Sequence, residues 1–365
     1  MNPKHRWSRR KFLGSSAVTG AAAALAGPSS TKASVAYRRD LTKEDIDRWM
    51  TELSNWGRWG KEDQAGTLNL ITPAKRKQAA ALVKDGVSVS MALDADIAPA
   101  GVEVPPPAPN PAAPGGAGGG RGGAFPRYTW QHTMRSHGLN MRGPSGYAVD
   151  SYTVSFHGNN TTHLDALSHY IHEGHIYNGF PASTITEWGA TKNDVMPFKN
   201  GIFTRGVLID MARFKGVPYL GDDEAIYPED LEAWEKKAGV KIESGDAVLL
   251  RTGRWARVKA KGPLNLNQQT PGLYASCGKW LKQRDIAILG SDVVQDVRPS
   301  RVEGVNQPLH QLLLVAVGTP LFDNCDLEAA AEAASQRRRS TFLLTVAPLP
   351  VPGGTGSPFN PIATF

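Results

Sequence analysis

Short runs of β-forming residues recur from Tyr128 onward, at Tyr152–Phe156, Arg205–Ile209, Asp246–Arg251 and Ile286–Leu289. Helical stretches lie between and after them, at Pro228–Ala238, Gly272–Arg284, His310–Val317 and Leu327–Ala334. That alternation admits neither a helical bundle nor an all-β sandwich and predicts one mixed α/β body. A length of 365 residues with 41% hydrophobic content can fill its core. Only Cys277 and Cys325 are available for a disulfide, so stability must come from packing, whether the two cysteines pair or stay as separate buried thiols. Ahead of this body the sequence predicts an arm: a helix from Thr42, with Asp45 completing a capping pattern, a second helix over 73–84 and a strand over Val87–Leu93. Residues 98–126 are dominated by Pro, Gly and Ala and read as a flexible insertion.

The net charge of +7 is concentrated at the start of the chain. Residues 1–36 carry Lys4, Arg6, Arg9, Arg10, Lys11 and Lys32 and no acid, which leaves the remainder almost neutral, with 35 basic and 34 acidic residues. A nearly neutral body gives no electrostatic reason to expect a nucleic-acid partner. The paired Arg9-Arg10 precedes an Ala/Gly-rich apolar stretch, and Ser34-Val35-Ala36 ends it in a small-x-Ala cleavage pattern. This segment resembles a twin-arginine signal, which implies export to the periplasm or the outside of the cell and a mature domain over 37–365. The apolar stretch is too short and too interrupted by Gly, Ser and Thr for stable membrane insertion.

Five of the nine histidines, His157, His163, His169, His172 and His175, fall within nineteen residues. In extended backbone, residues two apart share a face, so His163 and Asp165 can offer an imidazole nitrogen and a carboxylate oxygen to one cation. His169 can add a ligand or stand beside the metal as a general base. His157 lies on the same alternating face as Ser151, Thr153 and Ser155 and can reach in, while Tyr152, Val154 and Phe156 are expected to pack the other. His172 and His175, in a turn-rich stretch, read as surface histidines. Trp56 and Trp59 flank Arg58 and form a candidate aromatic wall for substrate, with core packing the alternative.

Thr162-His163-Leu164-Asp165 with His169, and Pro308-Leu309-His310 far downstream, resemble the cyclase and kynurenine-formamidase-like family of metal-dependent amidohydrolases, which includes isatin hydrolase-type enzymes. Asn55–Gly60, Gly66–Pro73, Gly245–Gly253 and Gly290-Ser291-Asp292 resemble further blocks of that family. The resemblance implies a swivelling β/β/α fold in a single catalytic domain. It also implies metal ligation by His163 and Asp165, a catalytic role for His169 and support from His310. Asp323, in Asp323-Asn324-Cys325, stands where the family commonly has a glutamate. The family pattern His-x-Gly-Thr-His-x-Asp-x-Pro-x-His is altered at three places, with Asn159, Thr161 and Leu167 at the first histidine, the glycine and the proline. Asn159 offers a neutral amide, a poorer ligand than imidazole, and leaves either fewer protein ligands, a place for His157, or a contact with substrate.

The parts predict hydrolysis of an amide or ester at a divalent metal, Mn2+ or Zn2+, with His169 as proton acceptor, and the resemblance implies a formamide, a cyclic amide such as a lactam or isatin-like ring, or a lactone as substrate. No Gly-x-Ser-x-Gly elbow, Walker loop or dinucleotide fingerprint occurs. Two other readings use the same residues: a non-haem iron oxygenase built on His163, Asp165 and His310, and an exported metal- or solute-binding protein. A homo-oligomer is the default expectation for such an enzyme.

Overall fold

The computed structural model describes residues 37–96, 129–140 and 143–365. The signal-like segment and the Pro/Gly/Ala-rich insertion lie outside them. Nine strands form one mixed sheet: β1 (Ser88–Ser90), β2 (His163–Asp165), β3 (Ile202–Asp210), β4 (Ala247–Arg251), β5 (Ile288–Ser291), β6 (Leu321–Asp323), β7 (Thr341–Val346), β8 (Gly356–Pro358) and β9 (Ile362–Thr364). Their order is β1-β9-β7-β3-β4-β5-β6-β2-β8. The four central strands, β3 to β6, run parallel, and the pairings outside them are antiparallel. Parallel neighbours need crossovers, which the helices Pro228–Ala238, Cys277–Gln283 and Pro308–Val317 lie within.

Both faces of this centre are covered, as a parallel sheet requires. Period-two alternation divides the strands between two cores. Val207, Ile209, Val248, Leu250 and Leu289 pack with Trp280, Leu312 and the arm residues Ile46 and Trp49. Leu208, Ala247, Leu249 and Ile288 turn the other way, toward Phe198, Phe342 and the alanines of Glu328–Arg337. Cys277 and Cys325 are free and buried, one in each core, so the two-thiol alternative holds.

Most predicted elements form where the pattern puts them. Thr42 and Asp45 make a capping box on Lys43–Glu52. Pro228 opens, and Gly239, in left-handed conformation, closes a helix over the predicted range. The helix expected over 73–84 stops at Ala80, and the one expected over 272–284 begins as a two-residue strand. His310–Val317 is mostly π-helix, which periodicity cannot distinguish from α. The expected packed face of Tyr152, Val154 and Phe156 is not observed. Val149–Val154 pairs only with Trp130–Ser136, in a two-stranded ribbon, and Tyr152 is 63% exposed.

Among the described residues no helix is long and apolar enough to cross a membrane.

Candidate metal centre

The site lies at the carboxyl end of the parallel strands, where open α/β sheets leave a crevice. β2 is inserted antiparallel between β6 and β8, in a register that sets His163 opposite Asp323 and Asp165 opposite Gly356. Leu164 anchors this short strand in the second core. His163 and Asp165 therefore share the opposite face, with His163 Nε2 3.4 Å from Asp165 Oδ1. Gly356 has no side chain where a Cβ would press on the His157 ring, and His157 Nδ1 comes within 3.1 Å of Asp165 Oδ1. His310, at the start of the Pro308–Val317 helical segment, brings Nε2 to 4.0 Å from Asp165 Oδ2 and 3.9 Å from Asp323 Oδ2.

Two groups of atoms result, each close enough to share one cation: His157, His163 and Asp165, and Asp165, His310 and Asp323. Asp165 belongs to both. Both of its oxygens are buried without a hydrogen-bond partner among the described residues, as are Asp323 Oδ1 and His157 Nδ1. Buried polar atoms in folded proteins are almost always satisfied, and an anion left bare is costly. The mixed nitrogen and carboxylate donors fit a divalent cation such as manganese or zinc.

Second contacts fix the donors. His163 Nδ1 donates to the Thr161 carbonyl at 2.8 Å, which leaves Nε2 toward Asp165. His310 Nδ1 lies 2.6 Å from Asp296 Oδ2, the carboxylate–histidine pairing that orients metal-binding imidazoles. Asp296 also accepts the Leu309 N–H at 2.7 Å. His169 belongs to neither donor group. Its ring stacks on His157 at 4.1 Å with 13° between planes, and its Nε2 is 3.7 Å from Asp165 Oδ2.

The same crowding separates the titrations of the metal-free site. Burial opposes a charged His163, but the close Asp165 carboxylate, with Asp323, outweighs it and raises its pKa to about 9. For His169, burial dominates over the pull of Asp165, neighbouring imidazoles add to it, and the pKa falls to about 3. Burial would raise Asp165, yet the surrounding imidazoles hold it well below the usual carboxylate range. Burial and then the charge of Asp165 push Asp323 up.

This gives a signed expectation. A His163 pKa above the ordinary 6.5 stabilises the metal-free fold below pH 6.5, and that contribution disappears as pH rises through about 9. A cation must displace the same proton, and that of His310, whose pKa Asp296 and Asp323 also raise against burial, so metal affinity should increase at least about tenfold per pH unit between pH 6.5 and about 9. Titration calorimetry with Mn2+ across this range would show it, and a flat profile would contradict it.

The other sequence candidates lie elsewhere. Asn159 is half-buried and turns its amide toward Asn267 Oδ1 at 3.4 Å, outside both donor groups. Trp56 donates to the Val315 carbonyl and packs near His175 and Gly179, while Arg58 forms a bidentate pair with Asp285 and covers Trp59. None of these contacts reaches the Asp165 cluster, so they give the aromatic-wall reading no support. His172 and His175 form the turn-rich surface strip expected of them. Sequence reasoning missed Asp296 and Gly356. An acid fourteen residues before a histidine has no local signature, and a lone glycine near the C-terminus gives no hint of the ring it admits.

Known proteins were compared with this geometry. A crystal structure of a novel cyclase is 29% identical, with a TM-score of 0.70 over 87% of this chain and 99% of that one. An isatin hydrolase bound to the product analogue thioisatinate shares the fold at 19% identity, with a TM-score of 0.50 over 79% of this chain and 94% of its own. Isatin hydrolase A from Ralstonia solanacearum is 20% identical, with a TM-score of 0.49 over 76% of this chain and 91% of its own. No curated protein matches the sequence. The model of the Cyclase family (Putative cyclase) matches residues 82–295, more than half of the chain, and takes in β2 to β5 with the His163–His169 run: the chain belongs to that family.

Proposed function

We propose that this protein is a metal-dependent hydrolase that opens a small amide, cyclic amide or lactone by attack of water on its carbonyl carbon. The observation that carries the reading is Asp165, whose two buried and unpartnered oxygens face two sets of nitrogen and carboxylate donors. His163, Asp165, His157, His310 and Asp323 are the residues that would hold the cation. A divalent metal bound there supplies Lewis acidity and makes water a competent nucleophile near neutral pH.

The remaining work falls to the chain. His310 is held in one orientation by Asp296, and His163 by the Thr161 carbonyl. His169 is neutral near pH 7, faces the cluster through Nε2 and keeps 30% of its side chain exposed, so it can meet a substrate. It accepts the proton released by the attacking water and returns it to the leaving nitrogen or oxygen. The second carboxylate, Asp323, favours this reading over an iron oxygenase, whose facial triad needs two histidines and one acid.

Metal analysis of the purified protein, with a hydrolysis assay on N-formyl, lactam and lactone compounds, tests the class. Bound manganese or zinc and cleavage of a panel member are expected. Iron with oxygen consumption and no cleavage would favour the oxygenase, and the absence of any bound metal would remove the hydrolase reading.

A further inference from the structure

Two sequence blocks, Gly245–Gly253 and Gly290-Ser291-Asp292, take no part in the donor groups, yet they meet immediately behind them. Asp292 is fully buried and accepts the N–H groups of Thr252, Gly253 and Arg254 and the Thr252 hydroxyl, which caps the helix Arg254–Lys261. The Asp292 carboxylate is thus occupied by backbone and hydroxyl donors, and the Arg254 guanidinium, itself only 7% exposed, makes no hydrogen bond to a carboxylate among the described residues. Its Nη1 reaches the Asn324 side-chain oxygen at 2.6 Å and the Asp292 carbonyl at 3.3 Å, and its Nη2 reaches the Asn159 carbonyl at 2.6 Å. A buried cation with neutral acceptors is costly, and its fork spans acceptors on separate segments.

Asn324 continues the path. It follows Asp323 with φ of 55°, a left-handed conformation that asparagine tolerates. Its amide nitrogen donates to the carbonyls of Gly158 at 2.6 Å and Thr161 at 3.2 Å, and its own carbonyl accepts the Thr162 hydroxyl at 2.8 Å. The Thr161 carbonyl is the acceptor that orients His163. The loop 158–161, with His157 at one end and His163 beyond the other, is therefore held from behind by one guanidinium and one amide.

We propose that Arg254, acting through its own bond to the Asn159 carbonyl and through Asn324, is a positioning residue that sets this loop and so aims His157 and His163 at the Asp165 carboxylate. This rests on the metal-site reading for its consequence and on hydrogen bonds alone for its cause. Arg254→Met and Asn324→Gly each break the path, and glycine keeps the left-handed backbone at 324 without strain. In metal-free full-length protein, amide hydrogen exchange should accelerate in peptides covering 157–163 and stay unchanged in Ala247–Leu250. In the same variants, Mn2+ affinity should fall about ten- to a hundredfold, as for other residues that orient metal ligands. The double variant should lose less than the sum of the two singles, because Arg254 and Asn324 also bond to each other.

Unchanged exchange in the loop of either folded variant, faster exchange with undiminished metal affinity, or fully additive effects would overturn the proposal. If Arg254→Met does not fold, Asn324→Gly carries the same test. If the wild type binds no metal, the hydrolase reading falls by itself; faster loop exchange in the variants would then uphold the holding role, and unchanged exchange would overturn it.

Discussion

Asp165→Asn is expected to remove the bound metal and to lower kcat/KM on the order of a thousandfold or more. The substitution keeps the shape of the side chain and deletes its charge at the one residue common to both donor groups. Several kcal/mol of transition-state stabilisation go with a catalytic metal, and about 1.4 kcal/mol corresponds to a tenfold change in rate. The fold should survive, because neither carboxylate oxygen makes a hydrogen bond that asparagine would break, and Leu164 still anchors β2. The His163 imidazole loses its nearest anion, so its pKa should fall from about 9, which NMR of the ring protons can follow in the metal-free variant. Metal content, turnover and circular dichroism measured on one preparation decide the matter. A folded variant with full metal occupancy and undiminished turnover would show that Asp165 is not the residue on which the site is built.

The reach of the sequence ends where contacts become long-range. His163 and Asp165 were legible because a strand repeats every two residues, and a three-residue strand is enough for that rule. Asp323 was legible only through resemblance; its register opposite His163 depends on β2 being inserted from an earlier part of the chain, 160 residues away. His157 shows the limit differently. Alternation placed it on the face of a strand, whereas it lies in the loop beyond that strand and packs beside Gly356, where a Cβ would meet the Leu164 carbonyl and crowd the His157 ring. The Trp56-Gly57-Arg58-Trp59 run left a binding wall and core packing both open, and nothing local reveals that Arg58 is paired with Asp285. Helices and core strands fared better because their signals, caps and apolar period, are written within a few consecutive residues.

His169→Ala should leave metal content intact while lowering kcat by about a hundred- to ten-thousandfold, the usual contribution of a positioned general base. The two observables separate because His169 stands outside both donor groups and touches them only by stacking on His157 and facing Asp165. Burial and neighbouring imidazoles keep His169 uncharged at neutral pH, so the nitrogen facing Asp165 is free to take up a proton. His163 would hold the cation through the nitrogen facing Asp165, and His169 would remain an imidazole outside both donor groups. Truncation also leaves a ring-sized gap beside His157, so added imidazole should restore part of the lost turnover in a saturable way. Loss of metal together with activity would make His169 a ligand instead of a base; retained turnover with metal bound would mean that the proton is taken by another group.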